Sequence, residues 1–178
     1  RFVSPSSFAQ QLSDQLVLAT EIQKITKQYG MKLFINDRID LAVGIDADGV
    51  HLPSTGLPIA VARKILGPQK KIGVSCHSLD EVLRTEADGA DFALLGPVYD
   101  TPLKRPYGAP LGIDYFRKVK EVTTLPLFAI GGINEAALAE IFQSGADGVA
   151  MVSIIMKAAN VKEQSKTILD VINKLKDS

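Results

Sequence analysis

With twenty basic side chains against twenty acidic ones, this 178-residue chain carries no net field to attract a polyanion. That argues against nucleic acid or a charged membrane surface as a partner and leaves small molecules as the expected ligands. Hydrophobic residues make up 46% and charged residues 22%, the balance of one globular domain over residues 1–178, able to bury about 70% of its unfolded surface. No apolar run approaches the ~20 residues of a membrane span, and no signal-peptide pattern opens the chain. The lone Cys76 cannot form an intrachain disulfide, so a reducing cytoplasm is the expected compartment. Opening on Arg1 rather than Met, the chain reads as one that has lost its beginning.

In chain order, Phe8, Leu12, Leu16, Ala19, Ile22 and Ile25 recur at spacings of three and four, which predicts an amphipathic helix from Ser6 to Tyr29. A strand is expected over Met31–Ile35, a brief helix over Ile39–Ile45, and a second strand at Val50–Leu52. After the polar turn Pro53-Ser54-Thr55-Gly56, a helix with Pro58 near its first turn runs until Gly67-Pro68 stops it. Ile72–Cys76 is the next strand, and Ser78-Leu79-Asp80-Glu81 is a capping box that starts a helix at Ser78.

Phe92–Leu95 is a strand ending in Gly96-Pro97, and the loop to Pro110 holds four prolines. A βα connection usually takes ~2–6 residues, so a loop of this length is expected to be functional. Helices from Ile113 and from Asn134 flank a strand at Leu127, and the last helix shows a face of Ile168, Leu169, Val171, Ile172 and Leu175. Leu127–Ile130 and Val149–Ser153 read as buried parallel strands, each feeding a helix N-terminus through Gly131-Gly132 or Ser153. Such strand ends offer amide donors to a phosphate.

Asp46-Ala47-Asp48-Gly49, Ala87-Asp88-Gly89-Ala90-Asp91 and Gly145-Ala146-Asp147-Gly148 read as one αβ turn used three times. Six strands, each followed by a helix, plus an opening helix with no strand before it, predict an α/β fold: a TIM-type β/α barrel lacking its first two strands. No Gly-x-Gly-x-x-Gly follows any strand, which disfavours a doubly wound sheet. A barrel left open where those two strands are missing would expose unpaired edges, so either the strands belong to a longer parent chain or a neighbour, such as a second copy in a homo-oligomer, covers the gap.

Active sites of these barrels lie at the C-terminal ends of the strands. The residues there are Asn36, Asp37 and Arg38; Ser54 and Thr55; Ser75 and His77; Thr101 and Lys104; Gly131 and Gly132; Val152 and Ser153. They suggest a ligand with two anionic ends, one in the glycine cradle and the other met by Lys104, Arg38 and a metal on Asp37. No nucleophile, base and acid set is evident, which points to catalysis by positioning and charge stabilisation. Plainer roles stand beside these: Asp37 as a helix N-cap, His51 as a hydrogen-bonded strand residue, His77 as a flank of the capping box, Lys104 as a solvated lysine, Gly131-Gly132 as a tight turn and Cys76 as a small core residue.

Several segments together resemble the thiamin phosphate synthase/TenI family: Ile35–Ala42, Ala47–Leu52, Gly73-Val74-Ser75, Gly89-Ala90-Asp91, Gly96-Pro97-Val98 with Thr101 and Lys104, Ala129–Ile133 and Gly145–Val149. The resemblance implies a β/α barrel in which a pyrimidine-methyl diphosphate loses pyrophosphate with Mg²⁺ and the resulting cation is captured by a thiazole phosphate. By position it implies that Asn36 contacts the pyrimidine, Asp37 holds Mg²⁺, and Ser75, Thr101 and Lys104 meet the pyrophosphate. Gly131, Gly132, Val152 and Ser153 would hold the thiazole phosphate, with Arg38 and His77 also on the substrate-binding side.

The departures are specific. Gly56 stands where the synthase pattern has a second metal-binding aspartate, and Leu103 where it has a second threonine. The Gln-Leu-Arg-Glu-Lys segment is absent, unless Arg1 is the remnant of its arginine. The Pro-Ser turn is closer to the TenI branch of thiazole tautomerases, whose histidine position is Pro97 here. A tautomerase using His51 or His77, a non-catalytic binder of thiazole or thiamin phosphate, and a different phosphate-binding barrel stay open as alternatives.

Overall fold

The computed structural model describes residues 5–102 and 104–176, so Arg1 and Leu103 lie outside the described residues. Helix α1 (Pro5–Gln28) leads into β1 (Phe34–Asn36), α2 (Ile39–Gly44), β2 (Gly49–Leu52), α3 (Ile59–Leu66) and β3 (Lys71–Cys76). Then follow α4 (Leu79–Ala87), β4 (Phe92–Leu95), α5 (Ile113–Val122), β5 (Leu127–Ile130), α6 (Leu138–Gln143), β6 (Gly148–Ala150), α7 (Ser153–Met156) and α8 (Val161–Lys176). The strands succeed one another in sheet order β1-β2-β3-β4-β5-β6. Parallel registers set Ile35 against Val50, Leu94 against Phe128 and Ala129 against Val149. This succession of βα units is that of the TIM-type barrel class. The chain divides into two compact units between Gly73 and Val74, inside β3. Among the described residues no helix is long and apolar enough to cross a membrane.

In the first unit the core is built from Ile39, Leu41, Ala42, Ile45, Val50, Leu52, Ile59, Ala62 and Ile72, all buried. The predicted stripe of α1 is only partly covered: Ala19 is buried, but Leu16 and Ile22 are each 40% exposed and Ile25 57%. Its neighbour in this unit is the short α2, which is too small to cover a 24-residue helix. β1 starts at Phe34 rather than Met31 because the preceding amides are already used. Met31 N–H donates to the Thr26 carbonyl at 2.8 Å and Leu33 N–H to Asp48 Oδ2 at 2.9 Å.

That last bond explains the repeated turn. Asp46, Gly89 and Gly145 occupy its left-handed position with φ of 55°, 84° and 86°, a conformation that glycine and, less easily, aspartate adopt. Two residues later, Asp48 and Asp147 accept the first N–H of a strand or its lead-in, from Leu33 at 2.9 Å and Leu127 at 2.8 Å. Each also meets a lysine, Lys32 at 2.8 Å and Lys120 at 2.7 Å. The motif is therefore a helix stop joined to a strand start.

These bonds make stability depend on pH. Lys32 and the Leu33 N–H hold Asp48 below the usual carboxylate range. Burial alone would raise Asp147, but Lys120 and the Leu127 N–H outweigh it and the net shift is downward. Thr124 and Thr123 lower Glu86 in the same way. A carboxylate whose folded pKa is depressed confers stability that is full above its unfolded pKa and lost as pH falls through the folded one. The melting temperature should therefore stay level from about pH 5 to 7 and fall below about pH 4, with part of that acid dependence missing in Asp147→Asn. A melting curve as steep below pH 4 in Asp147→Asn as in the parent would refute this assignment.

In the second unit, Ser78 caps α4 as its sequence predicts, accepting from Glu81 N–H at 3.2 Å. The return arm of the box differs: Glu81 Oε2 accepts from the N–H of His77, at 2.7 Å, one residue before the cap. Ala93, Leu95, Leu127 and Ala129 are fully buried, as are Val82 of α4, Phe116 of α5 and Leu138 and Ile141 of α6. Phe92, Leu94, Phe128 and Ile130 alternate with the buried strand positions and are only half-buried, so one face of β4 and β5 is sealed and the other partly open. Phe92 and Phe128 pack edge to face there, 5.7 Å between centroids. β6 departs from the expectation of a buried strand, since Gly148, Val149 and Ala150 are all half-buried. Among the described residues it is last in the sheet order and has a strand on one side alone.

Candidate functional site

In the first unit the end of β1 carries Asn36, Asp37 and Arg38. Asp37 N–H donates to the His51 carbonyl at 2.9 Å, continuing the β1–β2 pairing by one residue. Asp37 itself sits at φ 59°, a left-handed conformation uncommon outside glycine and frequent at functional turns. Its plainer role fails: α2 has Arg38 at its N-cap and no side-chain capping bond. The Asp37 carboxylate is exposed. Asn36 Oδ1 lies 3.4 Å from His51 Nδ1, and burial pushes the half-buried His51 imidazole below its ordinary pKa. His51 is thus a strand residue facing Asn36, and its burial favours the neutral imidazole.

Arg38 is engaged within its own unit. Its Nε and Nη2 donate to the two Asp40 carboxylate oxygens at 2.8 and 2.6 Å, and its Nη1 to Gln15 Oε1 at 2.8 Å. Sequence alone gave no sign of that long-range clamp. At the end of β2, Gly56 N–H closes a turn onto the Pro53 carbonyl at 2.9 Å. A Cβ at position 56 would stand 2.9 Å from Pro53 Cδ and 3.0 Å from its carbonyl oxygen. Pro53 and Gly56 are thus a matched pair, and an aspartate at 56 would require the proline ring to move. Ser54 and Thr55 in this turn are exposed.

In the second unit, Ser75 is half-buried in β3 and His77 follows it, exposed. His77 Nδ1 lies 2.6 Å from the Gly96 carbonyl. An oxygen acceptor requires a proton on Nδ1, so in the neutral ring Nε2 carries the lone pair. The free thiol of Cys76 is buried, 3.4 Å from Thr85 Oγ1, and burial raises its pKa. It is a core residue.

Beyond β4 the chain continues the pairing past the strand ends: Val98 N–H donates to the Ile130 carbonyl at 2.9 Å and Tyr99 N–H to the Gly131 carbonyl at 3.0 Å. A tight turn follows, with Lys104 N–H donating to the Thr101 carbonyl at 2.9 Å. The exposed Asp100 and Arg105 clamp it, Arg105 Nη2 donating to Asp100 Oδ2 at 2.5 Å. Lys104 stands exposed between them and Thr101 is half-buried. The loop closes on its own base through Leu111 N–H to the Pro97 carbonyl and Gly112 N–H to that of Val98, at 2.8 and 3.0 Å.

Gly131 and Gly132 are both left-handed, at φ 96° and 66°. Their missing side chains make room for this loop. A Cβ on Gly131 would lie 2.5 Å from Pro97 Cβ, and one on Gly132 would lie 2.5 Å from the Asp100 carbonyl oxygen and 2.7 Å from that of Tyr99. The glycine pair therefore brings the Thr101–Lys104 loop against the end of β5. Asn134 then caps the following turn, accepting from Ala137 N–H at 3.1 Å. At the end of β6, Val152 and Ser153 are exposed where α7 begins.

Among the described residues no group of three or more His, Cys, Asp or Glu side chains is placed to hold a metal ion. Asp37 offers one carboxylate. One carboxylate suits Mg²⁺ when substrate phosphates and water supply the remaining ligands, so these residues fit a metal that arrives with a diphosphate.

A family model described as thiamine monophosphate synthase matches residues 9–155. The putative thiamine-phosphate synthase of Geobacter sulfurreducens is 43% identical over 157 residues, 88% of this chain and 74% of its own. The thiamine-phosphate synthase of Chloroflexus aurantiacus is 39% identical over 155 residues, covering 87% and 71%. Among solved structures, the thiamine phosphate pyrophosphorylase of Pyrococcus furiosus matches with a TM-score of 0.84 at 32% identity, over 92% of this chain and 78% of that one.

Proposed function

From the premise that this chain belongs to the thiamine monophosphate synthase family, and so to the transferases, we propose that it couples hydroxymethylpyrimidine diphosphate with thiazole phosphate. The products are thiamin phosphate and pyrophosphate. The bond between the pyrimidine methylene carbon and the diphosphate oxygen breaks with its electron pair on oxygen, and the thiazole nitrogen lone pair forms the new C–N bond. No proton transfer is needed for this balance, in keeping with strand ends that carry anion holders. The observation that carries the reading is the match over residues 9–155.

Each holder has a place in the proposal. Asn36 meets the pyrimidine ring, and Asp37 holds Mg²⁺. Ser75, Thr101 and Lys104 hold the departing pyrophosphate, with His77 beside them. Gly131, Gly132, Val152 and Ser153 hold the thiazole phosphate through backbone donors and the serine hydroxyl. When bound, Mg²⁺ offsets the charge that builds on the leaving pyrophosphate. Arg38, turned to Asp40 and Gln15, keeps the backbone after Asp37 in place. A reducing cytoplasm suits the buried thiol of Cys76.

Turnover as a function of Mg²⁺ tests the metal assignment. Asp37→Asn should raise the Mg²⁺ needed for half-maximal rate by at least ~10-fold. A parent rate indifferent to chelation, or an unchanged requirement in the variant, would remove Asp37 from the site.

One observation favours a second reading. The TenI tautomerase histidine is replaced by Pro97, yet the His77 ring is bonded to the carbonyl of Gly96, immediately before it. With its lone pair on Nε2, His77 could serve a thiazole double-bond shift. Metal-independent tautomerisation lost in His77→Ala would establish that activity.

A further inference from the structure

The loop that carries Thr101 and Lys104 is an excursion of about a dozen residues from the end of β4, and such a loop is ordinarily mobile. Here its base is closed on two sides. The bonds from Val98 and Tyr99 to β5 and its extension hold it to the strand end with Gly131 and Gly132, and those from Leu111 and Gly112 return to Pro97 and Val98. These backbone bonds fix the base, but a ladder can still pivot about its axis. A contact away from that axis is needed to fix the angle.

Tyr99 supplies it. Its hydroxyl donates to Glu140 Oε2 at 2.7 Å, across 41 residues of sequence. Glu140 lies on α6, the helix that follows the glycine pair. Tyr99 thus joins the loop to β5 through its backbone and to the next helix through its side chain. Gly132 completes the arrangement, because only a residue without Cβ fits against the Tyr99 and Asp100 carbonyls. Burial, and then the Glu140 carboxylate, keep the Tyr99 phenol protonated well above its ordinary range, so the donor persists across working pH.

We propose that the Tyr99–Glu140 hydrogen bond locks the loop holding Thr101 and Lys104 at a set angle to the Gly131-Gly132 strand end, making Tyr99 a positioning residue for the coupling step. The proposal rests on the synthase reading, in which the loop holds pyrophosphate and the strand end holds thiazole phosphate. The lock then sets the separation between the carbon that loses pyrophosphate and the nitrogen that captures it. A misplacement of about 1 Å in such a geometry costs up to ~100-fold in rate. Each anion keeps its own local donors when the lock is broken, so the loss falls on kcat rather than on either KM.

The test is steady-state thiamin phosphate formation by the full chain for the parent, Tyr99→Phe, Glu140→Ala, Glu140→Gln and the Tyr99→Phe/Glu140→Ala double variant. Tyr99→Phe and Glu140→Ala should each lower kcat about tenfold with both KM values within about threefold. Glu140→Gln, whose amide oxygen still accepts from the phenol, should stay within about twofold of the parent. The double variant should be no slower than the singles, since both remove one bond. Unchanged kcat in Tyr99→Phe, Glu140→Gln as slow as Glu140→Ala, or additive loss in the double variant would each overturn the lock.

Amide hydrogen exchange separates the lock from the reading beneath it. Exchange over residues 101–110 should be several-fold faster in Tyr99→Phe than in the parent, without any substrate. If the parent forms no thiamin phosphate the synthase reading fails. The lock then stands or falls on exchange, and equal rates in the two proteins would overturn it.

Discussion

Gly132→Val should lower the rate of thiamin phosphate formation by at least ~100-fold and abolish measurable binding of thiazole phosphate. Two costs combine at this position. Its φ of 66° places an L-residue in the left-handed region, at about 1–2 kcal/mol and more for a β-branched side chain. The new Cβ would also lie 2.5 to 2.7 Å from the Tyr99 and Asp100 carbonyl groups. Those are backbone atoms, so no rotamer change relieves the overlap and the loop must move. Gly89→Ala is the control: φ is 84° but nothing lies within 4 Å of the new methyl. It pays only the backbone cost of about 1 kcal/mol and should leave both KM and kcat unaltered. Calorimetric titration with thiazole phosphate, alongside initial rates, reads both effects. Retained affinity in Gly132→Val would remove the strand end of β5 from the phosphate site.

Lys104→Ala should cut kcat/KM for the diphosphate substrate by about 10²–10³-fold while thiazole phosphate affinity stays within about twofold. The synthase reading assigns the pyrophosphate to Lys104 of the two cations on this loop. Arg105 is neutralised by Asp100, with Nε and Nη2 both directed at that carboxylate. Lys104 stands exposed on the same turn, where a developing pyrophosphate charge would meet it. Arg105→Gln removes the same formal charge one residue away and should cost less than tenfold, chiefly by loosening the turn. Comparable losses in the two variants would show a diffuse charge effect in place of a specific contact. Equal loss of diphosphate turnover and thiazole phosphate affinity in Lys104→Ala would refute its assignment to pyrophosphate.

Local rules made much of the fold legible. The span Phe92–Leu95 is as predicted, because a short apolar run between Gly89-Ala90-Asp91 and Gly96-Pro97 has no alternative. Ser78 and Asn134 cap their helical turns as their patterns imply. The recurring Asp or Gly, Ala, Asp turn is visible as a repeat, and its geometry supplies the cause: one left-handed residue in each copy and, at Asp48 and Asp147, a carboxylate on the amide that opens a strand or its lead-in. The apolar run places the start of β1 three residues early because a side chain 15 positions away, Asp48, takes the Leu33 amide. The half-buried state of β6 depends on its place at the end of the sheet order, and no periodicity in three residues reveals that.

The candidate site was legible as a set of strand-end residues, and less so as chemistry. The sequence is compatible with Asp37 as cap or as metal ligand, and the backbone removes the cap by placing Arg38 there. Arg38 read as an anion holder, yet Asp40 and Gln15 occupy its guanidinium. The glycine pair at 131 and 132 suggested close backbone approach, and the approaching backbone within the second unit is that of Pro97–Asp100. Tyr99 carries no local signal of its role, since its partner Glu140 lies 41 residues away. Where the sequence departs from the synthase pattern at Gly56, a Pro53 ring fills the space beside it, so the two residues answer to each other.

The most direct test of the synthase reading is to incubate the protein with hydroxymethylpyrimidine diphosphate, thiazole phosphate and Mg²⁺ and to quantify thiamin phosphate and pyrophosphate together. Formation of the two products in equal amounts, abolished by chelating the metal, is the predicted result. Thiazole phosphate that binds, or shifts its double bond, without any thiamin phosphate appearing would contradict the synthase reading and leave the chain a tautomerase or a binder.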